Sequence, residues 1–187
     1  NTAWNGNRFL MGNGYFGIRG TLEEYTKKQM CAVNMAGIYD KMGNSWRESV
    51  NAPNPLYTYI KVNGKIYALP DEKPKFHQQE LDFRYGIHSR VTHWQNEHGN
   101  ITVVCERFAS IARQHNIAMK YTFSVDFDCE AEIITGIDGD VWDINGPHFV
   151  KMKIGSKDGA DYVTGMTGEK NISVTVKEYI RTDFQAE

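Results

Sequence analysis

LYTYIKVNGKIYAL, residues 56 to 69, decides the fold. Two runs of β-branched and aromatic residues meet at Asn63-Gly64. Asn-Gly favours the positive backbone angles of a type I′ turn, whose twist matches that of paired strands. The stretch therefore predicts a β-hairpin with Gly64 at positive φ. Working outward, GIHSRVTHWQ and ITVVCERFAS flank NEHGN and predict a second, longer hairpin with Gly99 in its turn. IAMKYTFSV, CEAEIITGI, HFVKMKIG, DYVTGM and ISVTVKEYI follow at short, regular intervals. From Tyr121 to Ile133 the odd positions are Tyr, Phe, Val, Phe, Cys, Ala and Ile, and the even ones are polar or charged. A period of two gives one buried face and one wet face, which is antiparallel behaviour, with a turn expected near Asp126–Asp128.

No helical pattern of comparable strength competes. TLEEYTKKQM offers two turns without a wide apolar stripe, and ERFASIARQHN suits either a strand or a helical face. NAPNP, Asn51 to Pro55, reads as an extended connection because each Pro pushes its predecessor away from helix. The expectation is a single all-β domain over residues 1–187, a sandwich of antiparallel sheets with few or no long helices.

Composition narrows the function classes. Of the 187 residues, 41% are hydrophobic and 24% charged, enough to bury a substantial core. A net charge of −2 provides no basic patch for nucleic acid, and no apolar run reaches the length of a membrane span. The chain opens on Asn1 rather than Met and shows no leader, so residues preceding it are expected. Cys31, Cys105 and Cys129 are odd in number and widely spaced among apolar residues, which favours core thiols in a reducing cytoplasm over disulfides or zinc.

Glycines at 12, 14 and 17 in MGNGYFGIRG give the literal spacing G-x-G-x-x-G. A dinucleotide site needs a buried strand before that motif and a helix opening within it. NTAWNGNRFL is a poor buried strand, and the residues that follow prefer strands and turns. No H-R-D or D-F-G supports a kinase loop. The glycines therefore read as turn and close-approach positions beside a sheet. Asp126 and Asp128 form a D-x-D that continues a solvated face. His88, His93 and His98 recur every five residues, an odd spacing that sends strand neighbours to opposite faces, away from a shared metal. GIDGDVWD lacks calcium-loop spacing and reads as a turn. No metal site and no cofactor are expected. No pair of carboxyl groups stands out for acid–base work on sugars.

Six phrases in this order resemble the N-terminal domain of glycoside hydrolase family 65: MGNGYFGIRG, AGIYD, NAPNP, QELDFRYGIHSR, ERFASIARQH and GIDGDV. The resemblance covers most of residues 9–141. That family contains maltose, trehalose and kojibiose phosphorylases and related hydrolases. The resemblance implies a galactose-mutarotase-like super-β-sandwich, followed in the complete enzyme by an (α/α)6 barrel. It implies that the barrel carries the general acid, a glutamate, and the site for inorganic phosphate as co-substrate. No catalytic residue is carried over to this chain. The implied partners are the barrel, a disaccharide handled by the full enzyme, and a second subunit in a homodimer. Asn13, Arg19 and Asp40 are candidates for polar locking of the glycine loop, for contact with the barrel, or for ordinary turn roles. The alternative function is a sandwich that binds carbohydrate by itself through exposed aromatics.

Overall fold

Asn63 and Gly64 both take positive φ, 50° and 76°, in the computed structural model, which describes residues 2–183. This two-residue turn joins strands that pair Val62 with Lys65 and Ile60 with Tyr67. The expected hairpin is thus the seed of the architecture.

After a short helix, α1 (Thr2–Asn5), the strands are β1 (Met11–Gly12), β2 (Phe16–Ile18), β3 (Val33–Asp40), β4 (Glu48–Asn51), β5 (Asn54–Val62), β6 (Lys65–Tyr67) and β7 (Phe76–Asp82). They continue as β8 (Ile87–Gln95), β9 (Asn100–Ala109), β10 (Ile117–Val125), β11 (Ala131–Asp138), β12 (Phe149–Lys157), β13 (Ala160–Thr167) and β14 (Ser173–Glu178). They form four antiparallel sheets with the orders β1-β2-β3-β4, β10-β9-β8-β7, β11-β5-β6 and β12-β13-β14. The chain is a super-β-sandwich, as the alternating pattern predicts.

The main core lies between β10-β9-β8-β7 and β11-β5-β6. Ile60, Val62 and Tyr67 from one sheet meet Trp94, Ile101 and Val103 from the other. The odd-numbered residues Tyr121, Phe123, Val125, Phe127 and Cys129 close its flank, while β10 ends at Val125 and β11 begins at Ala131. Burying six such side chains at about 2 kcal/mol each is the chief favourable term here. A second cluster joins Met11, Ile18, Val33 and Leu56, so the glycine-rich hairpin packs onto β5.

The ambiguous segments resolve simply. TLEEYTKKQM makes only a 3-10 turn at Lys27–Gln29, capped by Thr26 and Gln29. ERFASIARQHN stays in β9 as far as Ala109 and then turns, leaving Ile111 exposed. Within NAPNP, Asn51 ends β4 and Asn54 opens β5, so only Ala52 and Pro53 lie between strands.

Candidate functional site

The glycine motif is a hairpin. Met11 pairs with Ile18 and Gly12 with Gly17 across β1 and β2, and Gly14 sits in the turn at φ 86°. Among the described residues no α-helix follows to present a phosphate-binding N-terminus, only the 3-10 turn at Lys27–Gln29. Asn13 holds this turn: its Oδ1 accepts the Tyr15 and Phe16 N–H groups at 3.0 and 2.8 Å. Its Nδ2 donates to the Ser110 and Gln114 carbonyls at 2.7 and 3.0 Å, tying the hairpin to the loop after β9. Arg19 is buried and spreads its guanidinium over four acceptors: Asn7 Oδ1 and the carbonyls of Ala3, Gln29 and Met30, all within 2.7–3.0 Å. One cation thereby takes the place of water at three part-buried carbonyls.

Asp40 lies elsewhere, at the end of β3. It is 1% exposed and accepts the Glu169 and Lys170 N–H groups at 3.3 and 3.2 Å. His148 Nδ1 stands 3.6 Å from the same carboxylate, and His148 Nε2 is 2.7 Å from Glu48 Oε1. Glu48 also accepts the Asn145 N–H at 2.7 Å, and Asp143 accepts that of Asn51 at 3.2 Å. Burial pushes the Asp143 carboxyl up. Ligand atoms of Glu48, Asp143 and His148 lie within 4.8 Å of one another, close enough to suggest a metal site. Yet Glu48 Oε1 and the His148 Nε2 are engaged with each other, and Asp143 is engaged by a backbone donor. The group fastens the 143–148 segment and the turn after β13 onto β3 and β4. The three candidates therefore do not converge: Asn13, Arg19 and Asp40 hold three separate junctions.

A second cluster of buried charges comes from Glu23, Glu24, Arg90 and Arg107, positions that sequence reasoning passed over. Along β8, His88, Arg90, Thr92 and Trp94 all point inward, and on β9 so do Cys105 and Arg107. Arg90 Nε is 2.8 Å from Glu23 Oε2, its Nη2 is 2.7 Å from Glu24 Oε2, and its Nη1 donates to Thr92 Oγ1. Arg107 Nη1 is 3.0 Å from Glu23 Oε1, and Arg107 also donates to the Thr21 carbonyl. Burial alone would raise the Glu23 carboxyl, but Arg90 and Arg107 outweigh it and hold it at about 2. Burial and the neighbouring Arg107 push His88 down to about 3, which keeps it neutral. The signal in the sequence was the alternation itself: an Arg on the inward parity of a strand demands a buried carboxylate, which the fold supplies from the distant Glu23-Glu24.

The described surface also carries a groove of about 790 Å³, lined by Phe16, Met35, Pro53, Met119, Tyr121 and Thr135 among others. Tyr15 stacks on His115 at 4.2 Å between ring centres at its rim. Glu178 reaches this groove, accepting from Thr135 Oγ1 at 3.0 Å, and partial burial raises its carboxyl. His88 and His93 face opposite sides of β8, as the odd spacing requires, and His98 lies in the next turn. Asp126 accepts the Asn100 N–H and side-chain amide across a hairpin end. No helix among the described residues is long and apolar enough to cross a membrane.

Comparison with known proteins agrees with this architecture. The chain is 53% identical over 149 residues to nigerose phosphorylase of Lachnoclostridium phytofermentans, a match covering 80% of this chain and 20% of that protein. It is 36% identical over 182 residues to 1,2-alpha-glucosylglycerol phosphorylase of Bacillus selenitireducens, covering 97% of this chain and 24% of the relative. The fold superposes with a TM-score of 0.82 on a solved human-microbiome protein assigned as a kojibiose phosphorylase, at 19% identity, covering 93% of this chain and 25% of that one. The chain thus spans between a fifth and a quarter of the length of these relatives. Residues 2–187 match the description "Glycosyl hydrolase family 65, N-terminal domain", and with the super-β-sandwich in place the chain belongs to that family as its N-terminal domain.

Proposed function

We propose that this domain is the non-catalytic N-terminal part of a disaccharide phosphorylase, packed on a helical catalytic barrel whose entrance it helps to shape. One observation carries the reading: the buried carboxylates Glu23, Glu24, Asp40 and Glu48 are all held in contacts that fasten one part of the fold to another. Glycosidic cleavage needs an acid at the leaving oxygen and a nucleophile on the opposite face of the sugar. Carboxylates locked by arginines and backbone amides serve neither role.

In the complete enzyme, inorganic phosphate is the attacking co-substrate and the barrel supplies the acid. No resident cofactor enters. A second subunit is a further partner in this reading. The three cysteines are unpaired, which favours a cytoplasmic setting.

The test is a phosphorolysis assay on residues 1–187 and, in parallel, on the natural open reading frame. Nigerose, kojibiose, trehalose and maltose are supplied with phosphate, and glucose 1-phosphate is measured. Turnover confined to the longer polypeptide supports the reading. Turnover by residues 1–187, abolished at one carboxylate such as Glu178, overturns it. Saturable binding of a disaccharide to residues 1–187 without turnover favours the autonomous binding module instead.

A further inference from the structure

Four asparagines in this chain precede a glycine: Asn5, Asn13, Asn63 and Asn145. Glycine has no side chain to shield its N–H, so in an unfolded chain all four pairs are open to the same ring closure. The glycine nitrogen attacks Cγ of the asparagine and expels the side-chain nitrogen. Folding decides which of the four reacts, through the bonds that each must first break.

Three of them are held. Asn13 uses both ends of its amide, Oδ1 accepting two backbone N–H groups and Nδ2 donating to two carbonyls. The Asn145 Nδ2 donates to Glu48 Oε2 at 3.2 Å, and the Asp143 side chain fills the space beside Gly146. At Asn5 the nucleophile itself is engaged, since the Gly6 N–H donates to the Ala3 carbonyl at 3.3 Å. Gly6 is also buried, against the Arg19 guanidinium.

Asn63 differs in each respect. Asn63 and Gly64 are both exposed, and open space surrounds Gly64. Among the described residues, neither the Asn63 Nδ2 nor the Gly64 N–H has a hydrogen-bond partner. The one bond to this side chain runs from the Glu130 N–H to Oδ1, at 3.0 Å. That bond need not open. Oδ1 is the atom on which charge builds as Cγ becomes tetrahedral, so a donor placed there favours the reaction.

We propose that Asn63 is a self-modification site, at which the hairpin turn converts to an aspartyl or isoaspartyl linkage with water as the only co-reactant. Hydroxide takes the proton of the Gly64 N–H, and the nitrogen bonds to Cγ. The Cγ–Nδ2 bond then breaks and ammonia leaves, taking its third hydrogen from water. The five-membered imide adds one water. Opening at Cγ gives an aspartyl residue at position 63, and opening at the backbone carbonyl gives the isoaspartyl linkage. Nothing is oxidised or reduced. The product adds one negative charge to a chain whose net charge is −2. The isoaspartyl form also inserts one carbon into the backbone between Val62 and Lys65, the pair that this two-residue turn closes.

Peptide mapping of the natural full-length polypeptide, aged at mildly alkaline pH, tests this. Exchange of –NH2 for –OH is followed by mass at all four sites, in native buffer and in urea. In urea the four convert at similar rates. In native buffer each hydrogen bond that must open slows closure about fivefold, so position 63 should lead the other three by about 10-fold or more. Native conversion of Asn5, Asn13 or Asn145 as fast as Asn63 overturns the proposal, as does a position 63 that converts in urea alone. Asn63→Gln, which closes only a less favourable six-membered ring, supplies a second readout by ion exchange. The leading acidic species of the aged native protein should vanish in that variant, and its persistence there also overturns the assignment.

Discussion

Replacing Arg90 by Met isolates the energetic role of the buried charge network. The change keeps an unbranched, apolar stem and removes the guanidinium that holds Glu23, Glu24 and Thr92 at 2.7–2.8 Å. Glu23 retains Arg107, but Glu24 loses the one cation against it and keeps a 3.3 Å bond from the Leu69 N–H. A carboxylate that is 1% exposed will not stay charged without that partner, so it takes up a proton. Burial raises the Glu24 carboxyl even with Arg90 in place, so from an ordinary value of 4.5 its protonation in the variant adds at most about 3.4 kcal/mol at pH 7 and about 0.7 kcal/mol at pH 5. Adding the lost bond to Thr92, the variant should lose roughly 3–5 kcal/mol at pH 7, the range found when one partner of a buried pair is removed. The folded-state pKa of Glu24 in the variant lies above its unfolded value, so the penalty grows as pH rises past 4.5. Urea unfolding at pH 7 and pH 5 reads this directly, with constant slope as the check that unfolding remains two-state. Combining Arg90→Met with Glu24→Gln should recover at least about 1.5 kcal/mol at pH 7 and little at pH 5, because the neutral amide has no proton to acquire. A loss below about 1 kcal/mol, or a double variant no more stable than the single one, would refute the reasoning.

Gly20→Ala should cost about 3 kcal/mol, since the new Cβ meets the Phe9 Cβ and carbonyl; a denaturant midpoint within experimental error of the parent contradicts that packing. Gly64→Val should cost roughly 1–2 kcal/mol through φ strain alone, because open space surrounds that position, and a neutral result speaks against the turn. His88 is held neutral at about 3 against an unfolded value of 6.5. Its contribution is complete above pH 6.5 and is lost as pH falls toward 3, with a slope of up to about 1.4 kcal/mol per pH unit. Urea midpoints between pH 7 and pH 5 that do not fall with acidification reject this. Half-buried Cys129 should react with a thiol reagent before buried Cys31 and Cys105; mass mapping of the first modified cysteine decides the order.

Local patterns made the sandwich legible and its fastenings illegible. Asn63-Gly64 and the parity of residues 121–133 announce hairpins and faces because turn angles and strand period depend on neighbouring residues alone. The same parity places Arg90 and Arg107 inward, but their partners Glu23 and Glu24 lie 66 and 67 residues or more away in the chain. Nothing local to Glu23 reveals that the RGTLEEY loop folds over β8 and β9. Asn13, Arg19 and Asp40 stood out as polar residues in turn-rich surroundings, and each holds a junction, yet the three junctions are separate. His148 and Glu48 drew no notice at all, since their contact spans 100 residues. The G-x-G-x-x-G spacing misleads in the opposite direction: three glycines serve a hairpin as readily as a phosphate loop, and only the next element tells them apart.

The long reach of the Asp40 and Glu48 contacts bears on the order in which the molecule is made. Asp40 waits for an amide 130 residues later in the chain, and Glu48 for one 97 residues later. At about 5–20 residues per second, a ribosome takes roughly 6 to 26 seconds to cover the first of those intervals. During that time β3 and β4 present two carboxylates at an unfinished rim, while the β5–β6 hairpin closes within microseconds of emerging. Synthesis therefore runs ahead of closure in the first sheet, and β3 and β4, though made before most of the other strands described, are among the last to be sealed.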